Sequence, residues 1–204
     1  MSTYPCEDGA MPSIDQGAKR WQGDFAGRVG EAIRDRRKSL RLTAQDLSAR
    51  TVDVGYPITR VAISKIESNS RSGKLDVAEL VVLAFVLDIP PALLLFPGYP
   101  TGSVEVMPGM VAGNETAVDW LAGRDVLQPT HEGNAGTALI RDVVSRNDLQ
   151  DQLTLVDLDR DIDEASGRDP AVHDRIVARL AARINDTSTA IEAVRARLWG
   201  NRDA

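Results

Sequence analysis

The stretch that decides the fold is Thr43–Lys74, TAQDLSARTVDVGYPITRVAISKIESNSRSGK. Thr43 stands where a helix N-cap belongs, with Asp46 at the third helical position in a near capping box. Gly55-Tyr56-Pro57 ends that helix, because glycine tolerates positive φ and the residue before proline is pushed out of the α region. A further helix is predicted over Ile58–Ser68. Ile58, Ala62, Ile63 and Ile66 fall along one side of a 3.6-residue period, and Arg60, Val61, Ser64 and Ser68 along the other. Such a helix packs by its isoleucines and turns outward the residue types suited to base edges and phosphates. Asn69–Lys74 is a turn-rich basic loop. Two short helices about a corner with a basic edge fit a helix offered to DNA, and fit equally a surface helix of a bundle; the residues alone leave both open.

Working outward, residues 1–21 carry prolines and glycines with little periodicity and are expected to be a disordered tail. Helix one is predicted from Gln22 or Asp24 to Arg41, with Phe25, Val29, Ile33, Arg37 and Leu40 on its inner side. Within helix two, Leu47 faces inward together with Ala44 and Val52 or Val54. After the basic loop, Asp76 caps Val77–Leu87, whose Leu80, Val81, Leu83, Ala84 and Leu87 make it central to a small core. Pro90-Pro91 opens a last short helix, Ala92–Phe96.

The overall charge of −6 disguises a segregation. Residues 19–74 hold 13 Lys and Arg against 6 Asp and Glu, a net of +7, and residues 101–204 hold 11 Arg and no Lys against 18 acids, a net of −7. Phosphate binding is a local electrostatic matter, so the basic window is the informative one. Cys6 is the single cysteine, so no intrachain disulfide or cysteine metal cluster can form; a cytoplasmic location is expected. The longest apolar runs are broken by Asp88 and Pro90-Pro91 and fall short of a membrane span, and the N-terminus lacks the order of a secretory signal. An aromatic share of 4% argues against an aromatic-lined enzyme cavity.

Residues 25–96 resemble the five-helix domain of the lambda-type repressor and Cro family, the xenobiotic-response-element-type helix-turn-helix proteins. The residues that carry the likeness are Arg37, Leu42-Thr43, Ala44-Gln45-Asp46-Leu47-Ser48, Ile63-Ser64-Lys65-Ile66-Glu67 and the apolar Leu80–Ile89–Leu94 tail. The resemblance implies a structural ion pair between Arg37 and Glu67. It places base reading on Thr59, Arg60, Val61, Ser64 and Lys65. The family's phosphate contact at the first position of helix two falls on Ala44, so Thr43 or Gln45 would substitute, and the loop after helix three would grip the backbone through Asn69, Arg71 and Lys74. The corner Val52–Pro57 is longer than the family's tight turn. Family members bind palindromic operators as dimers, with recognition helices about 34–36 Å apart.

Beyond residue 97 the pattern changes. Residues 98–136 read as a linker with a small docked element, a β-like Ser103–Met107 and a helical turn Glu115–Leu121. Residues 137–200 read as a helical hairpin, Thr137 to about Ala165 and Pro170–Trp199, parted by a turn in which Asp169 caps and Pro170 opens the second helix. In that second helix Val177, Leu180, Ile184, Thr187, Ile191, Val194 and Leu198 step alternately by three and four, a heptad seam. The first helix offers Leu139, Val143, Leu149, Leu153, Val156, Leu158 and Ile162.

Enzymatic readings fail on the residues. Self-cleavage, known in some lambda-type repressors, needs a lysine that does not occur after Lys74. His131-Glu132 lacks the second histidine of a zinc-protease motif. His173 stands alone on a helix beside Asp174, and the acidic run Asp157–Glu164 has no calcium-loop glycine. No cofactor and no metal is expected. The expectation is therefore an all-α, non-enzymatic, sequence-specific DNA-binding regulator, a repressor such as a phage or prophage immunity repressor. It has a five-helix lambda-repressor-like domain, a linker, and a C-terminal hairpin or coiled coil that makes a homodimer, and it has no membrane partner. The alternative is an antitoxin-like interaction protein whose acidic tail binds a protein partner while the first domain autoregulates its gene.

Overall fold

A computed structural model describes residues 16–127, 134–165 and 171–200, with the side chains of the long helix that ends at Ala165 described as far as Leu158. The chain is mostly helical: α1 Gln16–Ser39, α2 Ala44–Asp53, α3 Arg60–Glu67, α4 Val77–Val86, α5 Pro91–Leu95, β1 Ser103–Met107, β2 Met110–Gly113, α6 Asn114–Leu121, α7 Ala135–Ala165 and α8 Ala171–Trp199. Among the described residues no helix is long and apolar enough to cross a membrane. Two compact units divide inside α6, Met1–Val118 and Asp119–Ala204. This division falls later in the chain than the change of pattern at residue 97. The hairpin β1–β2 and the start of α6 belong to the first unit.

In the first unit, Val29 and Ile33 of α1, Leu47 of α2, Ile63 and Ile66 of α3, Leu83 and Leu87 of α4 and Leu94 of α5 form one core. The predicted inner faces of α1 and α3 are thus the ones buried. Helix α1 starts six residues before Gln22, so residues 16–21, expected in the tail, are helical. Residues 1–15 lie outside the described residues. The early start has a use: the Trp21 indole Nε1 donates to the Glu105 carbonyl of β1 at 3.4 Å, so the extra turn holds the hairpin. A strand pair rather than a linker fills this region because Val104 and Val106 alternate into the core while Ser103 and Met107 face water. Asn114, itself buried, closes the entry by donating from Nδ2 to the Thr101 carbonyl at 2.8 Å.

The helices cross where a side chain is missing. A Cβ on Gly30 of α1 would lie 2.2 Å from the Ile66 carbonyl oxygen of α3, an impossible contact with backbone. Glycine at this position lets the two helices close on each other. Arginines then finish the helix ends: Arg36 donates from Nε to Leu87 O and from Nη2 to Asp88 O, both at 3.0 Å, and Arg28 donates from Nε to Leu95 O at 3.1 Å. These satisfy carbonyls that α4 and α5 leave unpaired at their C-termini. Burial pulls the Arg28 guanidinium below its ordinary value, and the Asp24 and Glu105 carboxylates oppose that shift.

In the second unit, α7 and α8 pack along each other. Leu180 and Ile191 are buried, and Val177, Ile184, Thr187, Val194 and Leu198 are half-buried, so the whole predicted seam of α8 faces its partner helix. The Thr187 hydroxyl donates to the Arg183 carbonyl at 2.8 Å, which satisfies it on its own helix and explains its tolerance in the seam. On α7, Leu139, Val143, Leu149, Leu153 and Val156 turn inward, but Leu158 is 60% exposed. Leu149, Leu153 and Val156 step by four and three, and Leu158 falls two positions further, off that stripe. The Ile162 side chain and the Asp169-Pro170 start lie outside the described residues. Asn134 caps α7, its Oδ1 accepting from the Thr137 N–H at 3.1 Å.

The crossing gives a paired test by urea unfolding. Gly30→Ala loses about 1–3 kcal/mol or more through forced displacement of α3. Gly23→Ala, in the same helix with nothing within 4 Å of the added Cβ, gains up to about 1 kcal/mol from helix propensity.

Candidate nucleic-acid interface

The segment between α2 and α3 is locked by two hydroxyls that the sequence reading did not single out. Thr51, fully buried, accepts the Ile58 N–H at Oγ1 (2.9 Å) and donates to the Ser48 carbonyl (2.7 Å). Ser48 Oγ donates to the Ile58 carbonyl at 2.7 Å. Both backbone groups of Ile58 are thereby held by α2, and the long corner is a fixed strut. The signal was present as a Ser and a Thr three apart near a helix end, a spacing that puts both hydroxyls on one face. Val52 and Val54, one of which was expected inward, are instead 55% and 43% exposed, because Thr51 takes the inward position.

The expected ion pair is present and closes the other side. Arg37 grips Glu67 in a two-bond fork, Nε to Oε1 at 2.6 Å and Nη2 to Oε2 at 2.7 Å, and Nη1 donates to the Leu42 carbonyl at 2.8 Å. Both side chains are nearly buried, 13% and 8% exposed. The bond to Glu67, more than counteracting desolvation, raises the Arg37 guanidinium above its ordinary value. One side chain thus ties α1, the end of α3 and the entry to α2.

What α3 has left points outward. Thr59 caps it, its Oγ1 accepting the Ala62 N–H at 3.1 Å. Arg60, Ser64 and Lys65 are exposed, and Val61 is 62% exposed. Among the described residues neither Arg60 nor Lys65 has an ion-pair partner. The five expected reading residues are therefore gathered on the accessible face of one two-turn helix.

The five expected phosphate residues are not equivalent. Thr43 is consumed by a full capping box: its Oγ1 accepts the Asp46 N–H at 3.1 Å and donates to Asp46 Oδ2 at 2.7 Å, and its own N–H donates to the same oxygen at 2.8 Å. These bonds, the hydroxyl one first, hold the Asp46 carboxyl below its usual range, so an anion is fixed at the start of α2. Asn69 is a strut: at φ +51° it donates from Nδ2 to the Gly23 carbonyl at 2.8 Å. Arg71 is bound to Glu79 of α4 in a close salt bridge. Thr43, Asn69 and Arg71 thus each have an intramolecular partner, while Gln45 and Lys74 are exposed.

Comparison with protein-family models, with characterised proteins and with solved structures found no match to this chain. The arrangement is therefore interpreted on its own chemistry: a small rigid helix with one face in the core and the other offering donors, hydroxyls and one aliphatic side chain.

Three consequences are measurable by chemical denaturation. Thr51→Val leaves the Ile58 N–H unpaired and costs about 1–3 kcal/mol. Glu67→Ala strands a buried guanidinium and costs about 3–5 kcal/mol. Because the folded-state pKa of Asp46 is depressed, its contribution is present above the ordinary carboxylate range and is lost as pH falls through the folded value. An Asp46→Asn variant is accordingly less stable than the parent at neutral pH, and the two unfolding curves converge in acid.

Proposed function

We propose that the chain is a sequence-specific DNA-binding regulator that presents α3 to the major groove and acts as a repressor. The observation that carries this reading is the division of α3. Ile63, Ile66 and Glu67 hold it in the core, while Arg60, Val61, Ser64 and Lys65 stand free on the opposite face. Their chemistry suits base edges: Arg60 as a bidentate donor to guanine, Ser64 as donor or acceptor, Val61 against a thymine methyl. Thr59 keeps a hydroxyl proton to donate while capping the helix. The resemblance to the lambda-type repressor and Cro family supports the same placement, and the family's dimeric binding suggests pairing through the α7–α8 hairpin. That hairpin leaves Leu155, Leu158, Val172 and Ile176 exposed, apolar area that a second copy would cover.

The same exposed residues favour a second reading, an antitoxin-like protein whose hairpin takes a different protein while the first unit binds its own promoter. Size measurement of the isolated chain separates the two: a concentration-independent dimer supports the first, a monomer the second.

The interface is tested by selecting bound fragments from random DNA and titrating the strongest with salt. Arg60→Ala is expected to lower affinity for the selected site by about 1–3 kcal/mol and to relax preference at one base pair. Replacing Lys65 and Lys74 with Gln reduces the slope of log affinity against log salt. Arg71→Gln leaves that slope unchanged and lowers stability instead, since its charge is already spent on Glu79. A chain with no sequence preference in the selection would overturn the reading.

A further inference from the structure

The first unit contains a cleft of about 510 Å³ on the α1 side of the loop that follows α3. Its wall is apolar, made by Trp21, Phe25, Leu75, Val77, Leu80 and Leu95, with Lys74 and Gln22 as polar neighbours. The volume lies within the range of small-molecule sites, roughly 300–1,000 Å³.

Three features make this a prepared surface. The Trp21 and Phe25 rings stand 5.3 Å apart at 38°, and the Phe25 ring is backed by the Arg28 guanidinium at 4.9 Å, itself bonded to the Leu95 carbonyl. The aromatic wall is thus held before anything binds. Gly73, at φ +79°, brings the loop so close to α1 that a Cβ there would sit 3.2 Å from the Gln22 carbonyl oxygen, which fixes Lys74 at the cleft. Finally, the acids that follow in sequence have defined partners: Glu79 holds Arg71, and Asp76, still an anion, accepts the Ala78 and Glu79 N–H groups at the start of α4. Among the described residues the Lys74 ammonium has no ion-pair partner, and Val77 beside it is 74% exposed. An aromatic wall, a wettable valine and one cation without an ion-pair partner among the described residues suit a small molecule with a flat apolar body and a single anion.

We infer that this cleft binds a small aromatic carboxylate, with the ring system against Trp21 and Phe25 and the carboxylate on Lys74. Binding needs only the cleft and is measured without DNA, since Lys74 is also one of the cations assigned to phosphate in the proposed function. The test is calorimetric titration of the full chain with 2-naphthoate and with the neutral 2-naphthalenemethanol. Saturable binding of the naphthoate is expected, about tenfold or more tighter than the alcohol, as a charge-assisted contact gives. Lys74→Met should bring the two affinities together. Val77→Asp, which adds an anion at a first-turn position where α4 tolerates one, should weaken naphthoate about tenfold while leaving the circular dichroism spectrum unchanged. Absence of saturable naphthoate binding to the parent chain through the millimolar range would overturn the assignment. So would a preference over the alcohol that survives Lys74→Met, or naphthoate affinity unmoved by Val77→Asp.

Discussion

Everything on the outward face of the first unit depends on how closely α1 and α3 cross. Gly30 allows the approach, because the Ile66 carbonyl occupies the space a Cβ would need. The Arg37–Glu67 fork then fixes rotation and register at the end of the same helix. The two act differently. The glycine contact is steric and sets distance, while the directional two-bond fork sets how the end of α3 faces α1. With both in place, an eight-residue helix too short to persist alone becomes a rigid platform.

The charge of the 19–74 window is less available than its sum suggests. Arg28, Arg36, Arg37 and Arg71 are spent on carbonyls and carboxylates inside the unit. Arginine suits that work, since its planar fork can meet two acceptors at once and sheds water more readily than an ammonium. The four lysines remain outside, as do Arg20, Arg41, Arg50 and Arg60. A charge count along a sequence cannot separate cations that close a fold from cations that face outward, and here the lysines all face outward while the arginines are divided between the two. The exposed Lys65 and Lys74 are what a long-range field would be built from.

Periodicity carried most of what was legible beforehand. The α8 seam, the inner faces of α1 and α3 and the capping of α2 by Thr43 and α4 by Asp76 all follow from spacing and local chemistry. The Arg37–Glu67 pair came from the family likeness and is present. What stayed hidden was set by contacts between distant segments. Gly30 is one glycine among several in α1 until Ile66 is seen above it. Val52 and Val54 look like core residues until Thr51 proves to own the inward position through its bonds to Ser48 and Ile58. The β1–β2 hairpin was half-seen, as one strand, because β2 is short and ends in Gly113. Leu158 is apolar by type but lies off the α7 stripe by position, and position decides its exposure.

The capping of α2 constrains how such a platform could meet a polyanion. Asp46, held ionised by Thr43, places negative charge at a helix N-terminus that would otherwise favour phosphate. A duplex lying across α3 would therefore be repelled at the α2 start and attracted on the side of Lys65 and Lys74. On the proposed reading, a duplex would then lie nearer the side of Ser64 and Lys65, and Arg60, exposed at the start of α3, would have the longest reach at the other end. The same capping box that makes α2 a stable support for the Ser48–Thr51 strut thus also fixes the sign of the charge at the start of α2, so local stability and local field are set by one pair of side chains.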